Sequence, residues 1–586
     1  MTSGSARTVR AVLERFGTSF STFENAFNEG QYALWLGSGI SRERVPNLGD
    51  LLTRVLEHLR ASTVREAAEG EFRNALEDVL RLAGLSNEEL RTVDYSVPFE
   101  ERLLKDRIIP ALVPNYSRVL DVPVGDDNPE DYLVWTGIDV SNTYGSPDLE
   151  PDVEHYCIAL LMLEGLVSAA VTANWDGLLE QALSELNPMS ESLVRVAVKP
   201  DDFRIAGRRI DLIKVHGCAV RARDNEGEYR DSLVARHSQI SAWTEQPQNR
   251  LMKKQLESLF AIQSTLMIGL SAQDGNLQTI FAAAAQDLPR SWPTSPPAIV
   301  LSEERVETYH QSALRTTYGT THQGNSSDIK ASALLGAYGK PVLLALVLSS
   351  LTEKLNFLMH HGLGEMLGDP AVLELQEHLR KLRDSVALQA DPDGSTELAY
   401  SDVLDLQRGF IARVLDVVSF AMTVFRSGRF PSGERLRYDP LSDRPATQAV
   451  QNADYPAIEF GRLGVALALI GRGLSSGEWA AAPGRGAEAA DGVVRLVTAQ
   501  RNARLFFVKD AIVLTQLELE DSFDDSGGDV LIVVADEVPP SQARSPRSRF
   551  GRVGKASAGR FSVASNVADT ASLDELYEAF KLAGGF

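Results

Sequence analysis

The chain has 586 residues, 44% hydrophobic and 24% charged, with a formal net charge of −22. This length suits about three domains rather than one, and the apolar share is that of a globular protein with a large core. The acidic balance argues against broad electrostatic binding of nucleic acid or an anionic membrane, and two cysteines, Cys157 and Cys218, make neither a disulfide framework nor a four-cysteine zinc site, as expected in a reduced, cytoplasmic compartment.

The first twenty residues lack the continuous apolar core of a secretory signal. Tyr32–Leu36 reads as a buried strand running into a glycine loop, and Leu51, Leu52, Val55, Leu56 and Leu59 then repeat at helical spacing. Residues from about 60 to 150 read as a helical insertion with polar loops at Val124–Asp131 and Asn142–Asp148. A helix from about Val153 to Gly165 feeds a strand at Val167–Val171. Further strands are expected at Ile210–Val215, Thr265–Leu270 and Ala298–Leu301, the last ending at Ser302-Glu303. Short apolar runs alternating with helices imply an α/β fold with a parallel sheet covered on both faces.

From about residue 330 helices dominate. Val372, Leu373, Leu375, Leu379 and Leu382 form one stripe, and Val403–Phe425 forms another, with Ser401 or Asp402 as its cap. Loops are expected at 427–455 and Ser475–Gly492, and strands at Ala503–Leu514 and Val530–Val534. Arg544–Arg560 holds six basic and no acidic residues and reads as a flexible arm, a solvated loop more readily than a nucleic-acid contact. The longest apolar run, Pro341–Leu348, is far short of the ~20 residues that span a bilayer, so no membrane association is expected.

Four short segments fall at the ends of the expected strands, where a parallel sheet presents its ligand loops. Gly37-Ser38-Gly39-Ile40-Ser41 allows close backbone approach to a ligand, with amides for phosphate oxygens and a hydroxyl at Ser41; a plain turn has the same composition. In Thr172-Ala173-Asn174-Trp175-Asp176, Asn174 suits a ribose hydroxyl or a water and Asp176 a carboxamide or a positive charge, although both also suit the cap of the next helix. His216, before Gly217, suits a general base. Gly269-Leu270-Ser271 offers a second small-residue approach, and Asp274 reads chiefly as the cap of a helix over Leu277–Ala284.

These segments, in this order, resemble the sirtuin (SIR2) family, and most of all its bacterial SIR2-like branch; the helix opening Pro151-Asp152-Val153-Glu154-His155 is also similar. The resemblance implies a Rossmann-like NAD-binding sheet with a helical insertion at about 50–150, occupying residues 1–325, followed by a helix-rich regulatory or assembly region, 326–586, with the basic loop at 540–560. It implies that Gly37, Ser38, Gly39 and Ser41 line the phosphate and nicotinamide-ribose region and that Thr172 belongs to the same binding loop as Asn174 and Asp176. These last two would face the nicotinamide ribose and carboxamide, His216 would be the catalytic histidine, and Gly269 and Ser271 would face the adenosine half.

The chain departs from the family's deacetylases. It has no Cys-x-x-Cys pairs after His216-Gly217, Ser38 stands where alanine is usual, and no Phe-Arg follows Pro46. With NAD as substrate, no metal and no groove for an acyl-lysine peptide, the expected reaction is NAD+ hydrolysis to nicotinamide and ADP-ribose, or a cyclic form of it. Alternatives are a non-catalytic NAD sensor and an ADP-ribosyl transferase or deacylase. The branch implies a regulated effector of anti-phage defence, as a homo-oligomer or with a HerA-like ATPase, a short argonaute or a phage trigger as partner.

Overall fold

A computed structural model describes residues 5–65, 70–101, 105–187, 189–388, 397–399, 440–445, 447–448, 457–483, 494–508, 510–519, 529–538 and 558–586. The expected helix at Val403–Phe425, much of the 427–455 loop and the basic arm up to residue 557 lie outside them.

Strand β1 (Ser5–Arg7) pairs antiparallel with β8 (Glu397–Ala399). The main sheet has six parallel strands: β2 (Tyr32–Leu36), β3 (Ala169–Thr172), β4 (Val194–Ala197), β5 (Ile210–Lys214), β6 (Ser264–Ile268) and β7 (Ile299–Ser302), in the order β4-β5-β3-β2-β6-β7. All five expected strands are present, each within two residues of its expected ends. The sixth, β4, was not foreseen, because it is a short edge strand whose middle residues are only half buried. The chain leaves β2 to one side and returns to its other side at β6. The carboxyl ends of β2 and β6 therefore flank the switch point, where open α/β sheets bind ligands.

Helices cover both faces, which is why the strands read as apolar runs without alternation. Tyr32, Leu34 and Leu36 point into one core and Trp35 into the other. The helices between β2 and β3, from Leu48 to Thr143, enclose a third core, which Ala219, Ala222, Leu233 and Ala235 from beyond β5 complete.

The region after the sheet is helical, with a second sheet that the sequence did not disclose as one unit. Its strands are β9 (Ala480–Pro483), β10 (Val494–Val497), β11 (Asn502–Val508), β12 (Asp529–Val534) and β13 (Ala558–Ser562), in the order β13-β12-β11-β10-β9. The expected strand Ala503–Leu514 is corrected: it stops at Val508, and Ala511–Leu519 is a helix capped by Asp510, whose carboxylate accepts from the amides of Ile512 and Val513. The expected loop at Ser475–Gly492 begins inside the helix Ala457–Ser476 and contains β9, and the start of β13 takes the end of the basic arm. In the stripe at 372–382, Leu373 faces solvent while Val372, Leu375 and Leu379 are buried.

The apolar run at Pro341–Leu348 belongs to a much longer helix, Gly339–Leu367. Its stretch Gly339–His360, with mean hydropathy 1.6, is long and apolar enough to cross a membrane, contrary to expectation; 89% of the apolar window is buried inside the fold. The serines and threonine that interrupt the run do not end the helix, since Thr352 bonds its own backbone at Leu348 O, 2.7 Å.

Candidate functional site

A cavity of about 860 Å³ opens over the carboxyl ends of the main sheet, within the range of small-molecule sites. The loops after β2, β3, β5, β6 and β7 line it, together with Tyr116 and Tyr144 from the insertion and Gly339 and Lys340 from the long helix. Gly37, Ser38, Gly39, Ser41, Asn174, Asp176, His216, Gly269 and Ser271 all meet there. Thr172 does not line the cavity; its Oγ1 accepts the Asn174 amide at 3.0 Å and fixes the turn that presents Asn174.

The glycines of the first loop have a different neighbour from the one the sequence suggested. A Cβ on Gly37 would lie 2.3 Å from Gly269 O, and one on Gly39 would lie 2.6 Å from Gly269 Cα. The two glycine loops are thus pressed backbone to backbone, joined by the Gly37 amide to Ile268 O (3.0 Å) and the Gly39 amide to Gly269 O (3.1 Å). Gly269 itself has φ +59°, a left-handed conformation suited to glycine.

Asn174 is anchored through its nitrogen. Nδ2 donates to Gly37 O at 3.2 Å and to Ser41 Oγ at 3.3 Å, which leaves the carboxamide oxygen for a ligand. Ser41 is fully buried and meets a histidine that the sequence reading did not place in the site. His155 Nδ1 accepts the Asp152 amide at 3.0 Å, so its Nε2 carries the proton and donates to Ser41 Oγ at 3.1 Å. Burial keeps the His155 pKa below its ordinary value despite nearby Asp176 and Asp152. Ser41 thus receives two donors, and its own proton remains to be given. The Asp-x-x-His spacing of a capping box was the available signal for His155.

Asp176 is 6% exposed, and its Oδ1 accepts the Leu178 amide at 3.2 Å. From the position before the cap residue Gly177 it takes the first amide of the helix Leu178–Leu186, and it also lines the cavity. Beneath it lies Lys214, fully buried, whose ammonium donates to Asp176 O and, at 2.8 Å, to Glu180 Oε1. Burial opposes charge on Lys214, but Cys218, Glu180 and Asp176 together hold its pKa above the ordinary range.

His216 is 6% exposed, and its Nε2 lies 2.9 Å from Asp274 Oδ2, off the line of a well-aimed hydrogen bond. Asp274 does cap the next helix, Gly275–Asp287, through Oδ1 and the Asn276 amide at 2.8 Å. Capping is half of its role, because its second oxygen faces the imidazole. Burial pushes the Asp274 carboxyl up; His216 and the amides of Asn276 and Leu277 more than reverse this and hold it below its ordinary range.

Two further carboxyls in the wall carry raised pKa values. Glu154 is pushed up to about 8 by burial, with Asp152 and Glu43 adding to the shift and Lys340 opposing it. Glu303, at the end of β7, is pushed up to about 7 by burial and Glu307, against Arg42. His310 Nε2 donates to Leu270 O at 2.7 Å and steadies the second glycine loop. Among the described residues no group of three or more His, Cys, Asp or Glu side chains gathers as for a metal ion.

Residues 168–322 match the family described as SIR2-like domain. The matched stretch contains Asn174, Asp176, His216, Gly269 and Ser271, while the loop at 37–41 joins them only through the sheet. No curated protein sequence matches the chain.

Proposed function

We propose that this chain, which carries a SIR2-like domain, is an NAD+ glycohydrolase that releases nicotinamide and ADP-ribose. SIR2-like domains bind NAD; the particular reaction is inferred from the side chains in the cavity. The observation that carries it is the meeting of Asn174, His216 and the 37–41 loop in one cavity at the sheet's switch point.

Cleavage breaks the bond between C1′ of the ribose and the nicotinamide nitrogen. The bonding pair leaves with nicotinamide, which departs neutral, and positive charge builds on the ribose. Asp176, buried beside the loop, stabilises that charge. The Asn174 carboxamide oxygen holds a ribose hydroxyl or the incoming water. His216 takes the proton released as the water oxygen bonds to C1′. Water is the favoured acceptor because the chain after Gly217 turns directly into the short helix Ala219–Asp224, where zinc-ribbon deacylases build part of their peptide groove.

On this reading, uncontrolled activity would exhaust cellular NAD, so the region after the sheet gates the site, through an oligomer or a partner protein. The setting is anti-phage defence, with a HerA-like ATPase, a short argonaute or a phage component as trigger. The test is mass-spectrometric detection of nicotinamide from NAD+, with the protein alone and with extract of infected cells. His216→Ala and Asn174→Ala should each lower release by about 10²-fold or more while the melting temperature is kept. Unchanged turnover in both variants overturns the assigned roles. Tight NAD binding without product in every condition favours a sensor, and label retained on protein favours a transferase.

A further inference from the structure

The geometry points to Asp274 as the positioning partner of His216, holding the imidazole with one carboxylate oxygen while its other oxygen caps a helix. This rests on the reading of His216 as the proton acceptor in NAD+ cleavage. The division of labour is explicit: Oδ1 takes the Asn276 amide at 2.8 Å, and Oδ2 lies 2.9 Å from His216 Nε2. A cap needs only the first contact.

The two residues meet across the crevice. His216 follows β5 and Asp274 follows β6, with β3 and β2 between those strands. Three strand spacings of about 4.8 Å separate β5 from β6, roughly 14 Å, so the loop after β6 must turn back over the ends of β2 and β3. It does so with Gly269 at φ +59° and Ala272 at φ +53°. A left-handed alanine is costly and persists only where its surroundings impose it. On the other side, Gly217 at φ +90° turns the chain just after His216; a Cβ there would meet Ser232 O at 2.6 Å.

Nε2 lies 2.9 Å from the carboxylate but out of line for a hydrogen bond in this structure; a small turn of either side chain closes that bond, which selects the neutral tautomer with its proton on Nε2 and leaves Nδ1 as the base. The carboxylate fixes this tautomer and stabilises the ring once it gains the second proton. The balance is that of the hydrolysis above: the proton from water goes to His216 Nδ1, and Asp274 stays ionised throughout.

Asp274→Asn and Asp274→Ser both keep an oxygen for the Asn276 amide and so keep the cap. Each should lower kcat for nicotinamide release by about 10²-fold or more with KM within about twofold. On a His216→Ala background, Asp274→Asn should cost nothing further, as for residues acting as one unit. Full kcat in both single variants, or losses that multiply in the double variant, overturns the proposal. A second readout does not depend on turnover: long-range nitrogen–proton spectra of the nine histidines, with His216 assigned by its Ala variant. They should show the Nε2-protonated tautomer in the wild type and a changed tautomer ratio in Asp274→Asn. An unchanged ratio removes the pairing; a wild type with the expected tautomer but no nicotinamide release removes the hydrolase reading and leaves the pairing standing.

Discussion

Glu154 shows how much of the site is set by what a single side chain lacks. Its Oε2 is buried with no hydrogen-bond partner, and the nearest cation is already engaged: Lys340 Nζ lies 2.9 Å from Glu43 and 3.4 Å from Asp152. Its pKa of about 8 therefore means a carboxyl that keeps its proton at neutral pH. Because the folded value is raised, the folded state binds a proton that the unfolded chain has lost. The stability this contributes is fully present below the ordinary carboxylate range and is lost as pH rises toward about 8. Glu154→Gln, which mimics the neutral form, should melt close to the wild type at pH 5 and clearly above it at pH 8.5. Parallel melting curves across that range would contradict the assignment. Glu303 shifts in the same direction but is intact in both proteins, so it cancels in the comparison.

At the scale of elements, the two glycine loops behave as one part. Gly269→Ala would place a methyl 2.7 Å from Gly39 Cα and force a left-handed alanine. It should cost about 1–3 kcal/mol of stability and separate the loops, weakening NAD binding measured by calorimetry. Gly275→Ala is the matched control, since nothing lies within 4 Å of the added carbon and φ is not positive; its melting temperature should be unchanged or raised. Equal effects of the two substitutions would mean that loop contact is not what the glycine serves. The same scale explains what was legible. β2, β3, β6 and β7 announce themselves because every residue in them is buried and most are apolar, and β5 through Ile210, Leu212 and Ile213 around the half-buried Asp211. β4 does not, because its middle residues are half buried, unlike those of β7 at the opposite edge, and Arg195 in it is held by Asp211 at 2.7 Å rather than by a core.

Across the whole molecule, the helix Gly339–Leu367 joins the cavity to the C-terminal region. Gly339 and Lys340 line the cavity, and one contiguous core runs from Val9 through this helix to Phe580. Along it, Lys354 is fully buried, with Nζ 2.7 Å from Glu164 Oε2 and 2.8 Å from Ser442 O, and the Leu441 amide donates to Glu164 Oε1 at 3.0 Å. Lys354→Ala would remove the counter-charge of the buried Glu164 carboxylate, at a cost of about 3–5 kcal/mol. Hydrogen exchange should then quicken together at β2 and at β12, as in a single cooperative unit. Faster exchange confined to β9–β13 would show that the two regions unfold separately. A shared core is also the physical route by which an event in the C-terminal region could reach the cavity.

The sequence alone determined five of the six strands of the main sheet and which residues follow them. Buried parallel strands leave an apolar signature in the local sequence, and the residues that follow them are confined to one edge of the sheet. Glycines at 37, 39 and 269, the carboxamide at 174 and the imidazole at 216 were therefore legible one by one. Strand order was decided only in three dimensions, by which side of β2 each crossover takes, and with it the neighbours across the crevice. That is why Asp274 read as a cap and is also the neighbour of His216, why His155 was noted in its helix opening but not as the partner of Ser41, and why a helix far along the chain forms part of the cavity wall. Contacts between residues distant in sequence leave no periodic trace, because the free energy that fixes them belongs to packing rather than to the local chain.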